Sequence, residues 1–148
     1  MGNTIPFLIF YKKYVIIYIE SKKRERIDTM KLWMDDVRPA PSDYTRVYDV
    51  DGAICEIIRC KKETDFLWKQ YIMGYMDREL FEKCFKVFNI EVISCDNDLG
   101  EGIPEGYKLL DWLEATGYNF PIRIHSANPV ARQRMQAIIQ RNGWKEVF

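Results

Sequence analysis

The chain has 148 residues, of which 47% are hydrophobic and 30% are charged, and this suits one folded domain with a buried core. Its 22 basic and 22 acidic residues cancel, which argues against a general nucleic-acid binder but leaves room for a small phosphorylated ligand. Four cysteines that form no CxxC pair, together with a single histidine, argue against a structural zinc site.

The first 29 residues differ in character from the rest of the chain. Residues 5–19 are apolar and aromatic, but two lysines interrupt them and the run is too short for a spanning helix of about 20 residues. Three interpretations stay open: a pair of strands added to the sheet, a weak membrane-surface anchor, or non-native translation upstream of a natural start at Met30. We hypothesise the last, because residues 22–26 are of types that purine-rich codons, such as those of a ribosome-binding site, can encode. The folded domain is then expected over 30–148.

From Met30 onwards, apolar runs of strand length alternate with stretches of helical periodicity. The predicted strands are 31–34, 44–50, 90–95, 120–124 and 143–148. The predicted helices are 51–75, 77–88, 107–116 and 129–141. Asp77 and Asn128 are suited to cap two of these helices, and Gly117 to stop a third. Strands that alternate with helices predict an α/β fold with a mainly parallel sheet of about five strands.

Polar residues follow three of the predicted strands, at the edge where open α/β sheets bind ligands. They are Asp35-Asp36, Asp96-Asn97-Asp98 and His125-Ser126. Carboxylates that converge repel one another, so the pattern predicts a divalent cation, Mg²⁺ or Mn²⁺. The predicted ligands are Asp35, Asp36, Asp96 and Asp98. Each Asp taken singly could equally cap a turn, and the coincidence at three strand ends favours the metal site.

Phosphate-binding groups are predicted beside the last of these strand ends. Ser126 and the start of the following helix at Asn128 offer donors to an anion, and Arg132 lies one turn into that helix. Arg132 could equally be a solvated surface residue. His125, the single histidine, is suited to move a proton near neutral pH, although a structural role is the common alternative.

Three separated segments carry a resemblance to a known family. They read LWMDDVRPAP at 32–41, SCDNDLG at 94–100 and HSANPVARQRM at 125–135. In this order they resemble the cyclic-phosphate processing receiver domain, a variant of the response-regulator receiver domain, over about 30–139. The resemblance implies a flavodoxin-like, receiver-like three-layer sandwich and a bound divalent cation. It also implies a small phosphorylated or cyclic-phosphate ligand, with Asp96 at the position of the phosphoacceptor.

Departures from the family pattern keep several functions open. Asn97 stands where the family has His, which implies reduced activity if that His transfers a proton. Lys145 lies too early to match the phosphorylation-sensing Lys of ordinary receivers, and residues 61–78 resemble an insertion. We expect a cytoplasmic protein without a transmembrane segment, and the departures leave three functions open for it. It is a metal-dependent phosphoesterase or transferase with Asp96 and His125 as catalytic residues, a non-catalytic phosphate-binding module, or a stand-alone phosphoacceptor.

Overall fold

The computed structural model describes residues 29–148, together with Lys13 and Ile17. The hypothesis about residues 1–29 therefore falls almost wholly outside the described part of the chain. The strands are β1 (Met30–Met34), β2 (Thr45–Val47), β3 (Ile90–Cys95), β4 (Ile122–Ile124) and β5 (Glu146–Val147). The helices are α1 (Val50–Ile72), α2 (Arg78–Phe88), α3 (Tyr107–Thr116) and α4 (Pro129–Asn142).

The five strands form one sheet in the order β2-β1-β3-β4-β5, and each neighbouring pair is parallel. The expected receiver-like α/β fold with a parallel sheet is thus confirmed. The register aligns Met34 with Cys95 and Cys95 with Ile124, so β1, β3 and β4 end level with one another. The residues that follow these strands must therefore lie side by side along one edge of the sheet.

The core lies between the sheet and helices α1, α3 and α4. Alternate strand residues share one cluster with buried residues of these helices. From the strands the cluster includes Leu32, Met34, Ile93, Cys95, Ile122 and Ile124. Lys31, Ser94 and Arg123 alternate with these residues along their strands, so they lie on the other face of the sheet and do not belong to the cluster. Of the three layers expected, residues 29–148 supply the sheet and the helical layer on its apolar face.

Local capping sets the ends of several elements. The strand β2 is shorter than the predicted 44–50, because Asp49 caps α1 by accepting a hydrogen bond from the backbone N–H of Gly52 at 2.7 Å. The predicted caps at Asp77 and Asn128 are confirmed, since the side chain of each accepts backbone N–H groups of the helix that follows. Pro129 stands at the start of α4, where its missing N–H costs no hydrogen bond.

Residues 61–78 form the second half of α1 and the turn that leads into α2. This part of α1 and helix α2 share a second cluster of buried residues, separate from the main core. Its members are Leu67, Met76, Phe81, Cys84, Val87 and Phe88. The segment thus builds a helical hairpin of its own, and its origin as an insertion stays a prediction.

Among the described residues, no helix has the length and apolarity that crossing a membrane requires.

No disulfide joins the four cysteines, all of which lie in the described part of the chain, and they differ in exposure. Cys55 is exposed, while Cys60, Cys84 and Cys95 are buried. Burial raises the pKa of Cys84 to about 11 and that of Cys95 to about 12, which keeps both protonated near neutral pH. We expect Ellman's reagent to label one thiol rapidly in the native protein and the other three only after unfolding in guanidinium.

The matched control for this labelling is the variant Cys55→Ser, in which the rapid phase should disappear. A second rapid phase in native wild-type protein would contradict the burial of the three remaining thiols.

A surface ion pair joins α3 to α4 and predicts a pH effect on stability. Arg141 Nε donates to Glu114 Oε1 at 2.8 Å and Asn142 Nδ2 donates to the same oxygen at 3.1 Å. These bonds lower the pKa of Glu114 from 4.5 to about 2. A depressed pKa in the folded state contributes stability above pH 4.5 that is lost as the pH falls towards about 2.

We therefore expect the melting temperature of wild type to be slightly higher than that of Glu114→Gln at pH 6. The two melting temperatures should converge near pH 2, as measured by circular dichroism. A gap of equal size at both pH values would show that the pair does not titrate as the structure requires.

Candidate metal and phosphate site

The candidate site lies where three adjacent parallel strands end. Asp35 follows β1, Asp96 follows β3 and His125 follows β4. The backbone N–H of each donates to a carbonyl of the adjacent strand, at 3.1, 2.9 and 3.0 Å respectively. These hydrogen bonds continue the sheet by one residue beyond each strand, so the three side chains start from fixed backbone positions.

Three carboxylates converge at this edge. Asp35, Asp36 and Asp96 each offer one oxygen, and these oxygens lie within 4.8 Å of one another. The side chains of Asp35 and Asp96 are largely shielded from solvent, which strengthens the repulsion between the charges. The structure does not bring Asp98 into this group: it is exposed, and its Oδ1 accepts from Asn97 Nδ2 at 3.3 Å. A role for Asp98 as a metal ligand stays a prediction.

Asp35 is fully buried, and both of its oxygens are occupied by nitrogen donors. Its Oδ1 accepts the backbone N–H groups of Val37 at 2.9 Å and Arg38 at 2.7 Å. Its Oδ2 lies 2.9 Å from Arg38 Nε and 3.1 Å from His125 Nε2. Burial opposes ionisation, but these donors outweigh it and hold the pKa of Asp35 below its ordinary value. Asp35 is therefore a charged residue near neutral pH.

Arg38 is a site residue that the sequence analysis did not single out. Its guanidinium bridges two of the carboxylates, with Nε on Asp35 and Nη2 at 3.1 Å from Asp96 Oδ2. The third nitrogen, Nη1, donates to the backbone carbonyl of His125 at 2.9 Å. The available signal in the sequence was a basic residue two positions after the acidic pair and directly before Pro39.

His125 is held at both ring nitrogens and by stacking on one face of its ring. Nε2 lies 3.1 Å from Asp35 Oδ2, and Nδ1 lies 2.7 Å from Ser94 Oγ. The ring stacks on Trp33 with centroids 3.9 Å apart and planes at 6°. Burial lowers the pKa of His125 below its ordinary value although Asp35 opposes this, so the imidazole is neutral near pH 7.

The hydrogen bonds assign the tautomer of this neutral imidazole. The ionised Asp35 can only accept, so the proton is on Nε2, and Nδ1 accepts the hydroxyl proton of Ser94. Both nitrogens of His125 are thereby engaged in holding Asp35 and Ser94. The sequence pattern predicts neither Trp33 nor Ser94 at the site, because they lie inside β1 and β3 respectively and resemble ordinary strand positions.

The three predicted phosphate-binding residues lie at the same edge, and the structure shows what occupies each. Ser126 is buried and its Oγ accepts the backbone N–H of Asn128 at 3.2 Å. Asn128 Oδ1 caps α4 through Val130 and Ala131. Arg132 Nη1 donates to the backbone carbonyls at 124 and 126, at 3.2 Å each, which braces the loop. Their contact with phosphate stays a prediction.

The loop after Asp96 is fixed from within. Asn97 is buried: its backbone carbonyl accepts the N–H of Gly106 at 2.8 Å and its Oδ1 accepts that of Tyr107 at 3.3 Å. A Cβ placed on Gly106 would lie 1.8 Å from the backbone oxygen of Asp96, so no other residue fits this position. The close approach of Gly106 therefore helps to position the Asp96 backbone.

Substitution of this glycine tests the close approach. We expect Gly106→Ala to lower the free energy of unfolding by about 3 kcal/mol, because the backbone must move to relieve the overlap. The control is Gly102→Ala, whose Cβ would meet nothing within 4 Å and whose cost of about 1 kcal/mol comes from its positive φ of 72° alone. Urea unfolding measures both variants, and equal losses would refute the steric account.

A cavity of about 730 Å³ lies at the opposite edge of the sheet, beside the amino ends of β3, β4 and β5. Ile90, Pro121 and Lys145 are among its lining residues, which places it one strand length away from the carboxylates. Its lining mixes basic, acidic and aromatic side chains. This cavity could hold a small ligand, but the clustered carboxylates and their buried donors favour the other edge, and we place the candidate site there.

Comparison with known proteins identifies the family of the chain. The model of the cyclic-phosphate processing receiver domain family matches residues 30–141, a stretch that contains β1 to β4 and the whole carboxylate cluster. The chain belongs to this family. The resemblance noted in the sequence is thus confirmed. No match to the chain was found among curated proteins or among solved structures.

The cyclic-phosphate processing receiver family implies a divalent cation, and the side chains present fit one. Asp36 Oδ1 is buried without a hydrogen-bond partner, which is costly for a carboxylate oxygen unless a cation reaches it. The donor set consists of oxygens, which suits Mg²⁺ or Mn²⁺. Arg46 donates to the backbone carbonyls of Asp35 at 3.2 Å and Asp36 at 3.0 Å and so fixes this turn.

Proposed function

We propose that this receiver domain binds a cyclic phosphate or a related small phosphoester, nucleotide-derived, in a metal-dependent manner at the edge formed by β1, β3 and β4. The observation that carries the proposal is the unpartnered, buried Asp36 Oδ1 within a cluster of three carboxylates. Membership of a cyclic-phosphate processing family supports the class of ligand.

The proposal assigns a role to each carboxylate. Asp36 and Asp96 hold the cation, Mg²⁺ or Mn²⁺, while Asp35, with both oxygens occupied by donors, adds charge and positions its neighbours. A bound divalent cation supplies Lewis-acid polarisation of a phosphate oxygen. The hydroxyl of Ser126 and the donors at the start of α4 face the same edge and hold further phosphate oxygens.

Processing of the ligand is the stronger form of the proposal. Hydrolysis would add water to the phosphorus of a cyclic diester, break one P–O bond and deliver a proton to the departing oxygen, with Asp96 and His125 as the predicted catalytic residues. The geometry favours binding without turnover as a second candidate. Both nitrogens of His125 are engaged, and Asn97, which has no titratable group, is buried in the loop.

A stand-alone phosphoacceptor function receives less support. Lys145 precedes β5 and lines the cavity at the opposite edge, so it is not placed to reach a phosphoryl group on Asp96. We also propose a cytoplasmic location, which is supported by cysteines that form no disulfide and so suit a reducing compartment.

Binding and turnover can be tested with the same samples. Calorimetry with 2′,3′-cyclic nucleotides in the presence of Mn²⁺ should show binding that EDTA abolishes, and ³¹P NMR of the mixture shows whether the diester opens. We expect Asp96→Asn to weaken metal-dependent binding at least about tenfold, since one direct ligand is lost.

The matched control is Glu101→Gln, which removes a similar charge from an exposed position in the loop after Asp98. Binding that persists in EDTA, or that Asp96→Asn leaves unchanged, would refute the proposal. Binding with an unchanged ³¹P spectrum would select the non-catalytic module. The variant Asp98→Asn, measured alongside, decides whether this exposed carboxylate is a ligand.

A further inference from the structure

Arg38 lies where the positive charge is needed when no divalent cation is present. Its guanidinium contacts two members of the carboxylate cluster, through Nε to Asp35 at 2.9 Å and through Nη2 to Asp96 at 3.1 Å. Three carboxylates within 4.8 Å would otherwise repel one another across a buried space. The side chain of Arg38 therefore serves as an internal counter-ion of the cluster.

Of the donors that hold the cluster, Arg38 is the one best able to leave. The backbone N–H groups that bind Asp35 belong to a turn that Arg46 fixes. His125 is held by stacking on Trp33 and by its hydrogen bond with Ser94. The side chain of Arg38 is 46% exposed, in contrast to 8% for that of His125. Its guanidinium can thus turn into solvent while its own N–H stays bound to Asp35 at 2.7 Å.

We propose that Arg38 is an exchangeable counter-ion: a divalent cation displaces its guanidinium from the carboxylates, and the released guanidinium then binds the phosphate of the ligand. This inference rests on the proposed function for its second half, because the phosphate-containing ligand is the one proposed above. The first half concerns the cation alone.

The charges explain why the exchange is coupled to the ligand. A divalent cation supplies more charge than the guanidinium it replaces, so the carboxylates remain compensated after Arg38 leaves. The guanidinium stays anchored beside the site and presents a planar fork of donors, which matches two oxygens of a phosphate. Arg132 is less suited to this role, because its Nη1 contacts backbone carbonyls rather than carboxylates of the cluster, so a bound cation would not displace it.

The test of the first half uses Mn²⁺ with no phosphate compound present. We expect Arg38→Gln to bind Mn²⁺ roughly five to ten times more tightly than wild type, measured by electron paramagnetic resonance of the free ion, because the competing cation is gone. Arg38→Lys keeps the charge and should lie between the two. Arg141→Gln is the control, since it removes an equal charge from the pair with Glu114 on α3.

An unchanged or weaker affinity of Arg38→Gln for Mn²⁺ would overturn the exchange. A second measurement on the wild-type protein does not depend on the folding of a variant. The ¹⁵N-labelled Nε–H resonance of Arg38 should shift and exchange faster with water when Mg²⁺ is added, and a resonance that Mg²⁺ leaves in place would equally overturn it.

The second half is tested with saturating Mn²⁺ and a 2′,3′-cyclic nucleotide. Arg38→Gln should then bind the nucleotide at least about tenfold more weakly, while it binds Mn²⁺ more tightly. Tighter Mn²⁺ binding with unchanged nucleotide affinity would keep the counter-ion role and refute the phosphate contact. Failure of wild type to bind any cyclic nucleotide would count against the proposed function and leave the cation exchange standing.

Discussion

The charge on the buried Asp35 has to be compensated, and the arrangement of the site follows from the groups that do so. The turn after β1 folds back so that the N–H groups of Val37 and Arg38 reach one carboxylate oxygen. The side chains of Arg38, which follows β1, and His125, which follows β4, contact the other oxygen. Because an isolated buried carboxylate would be very costly, these contacts fix the backbone of the turn and the orientation of the imidazole together. Asp35 thereby links β1 to β4 across the intervening β3.

This arrangement gives two kinds of contact different functions. The contacts of His125 with Trp33, Ser94 and Asp35 are shielded from solvent and suit a residue that positions its neighbours. Those of Arg38 involve a side chain that is 46% exposed, which suits the exchange proposed for it. Asp36, whose Oδ1 has no hydrogen-bond partner, belongs to the same cluster, so the proposed site for a hard cation is built from residues whose positions the buried contacts already determine. Preorganisation of this kind lowers the cost of ligand binding, since little has to be ordered when the ligand arrives.

The sequence predicted the fold and the edge of the sheet where the carboxylates meet, and it did less well on the contacts of individual side chains. Periodicity and capping residues located β3 and α3 with their observed ends, and the polar residues after three apolar strands correctly predicted convergence of Asp35, Asp96 and His125. The geometry of Asp98 could not be read in the same way, because a side chain two residues beyond a strand depends on the path of the loop. The sequence also could not predict that Arg132 donates to backbone carbonyls, because the order of residue types does not record such contacts.

By itself the sequence determined the alternation of strands and helices, the family and the presence of acidic residues at strand ends, because these depend on local periodicity and on residue types in order along the chain. Only the tertiary structure decided that Arg38 bridges Asp35 and Asp96 and that Ser94 reaches His125. The physical reason is that Arg38 and Asp96 are 58 positions apart and Ser94 and His125 are 31 apart, so strand register, loop path and burial have to bring them together. Such long-range pairings set which charges are compensated internally and which oxygen is left for a cation.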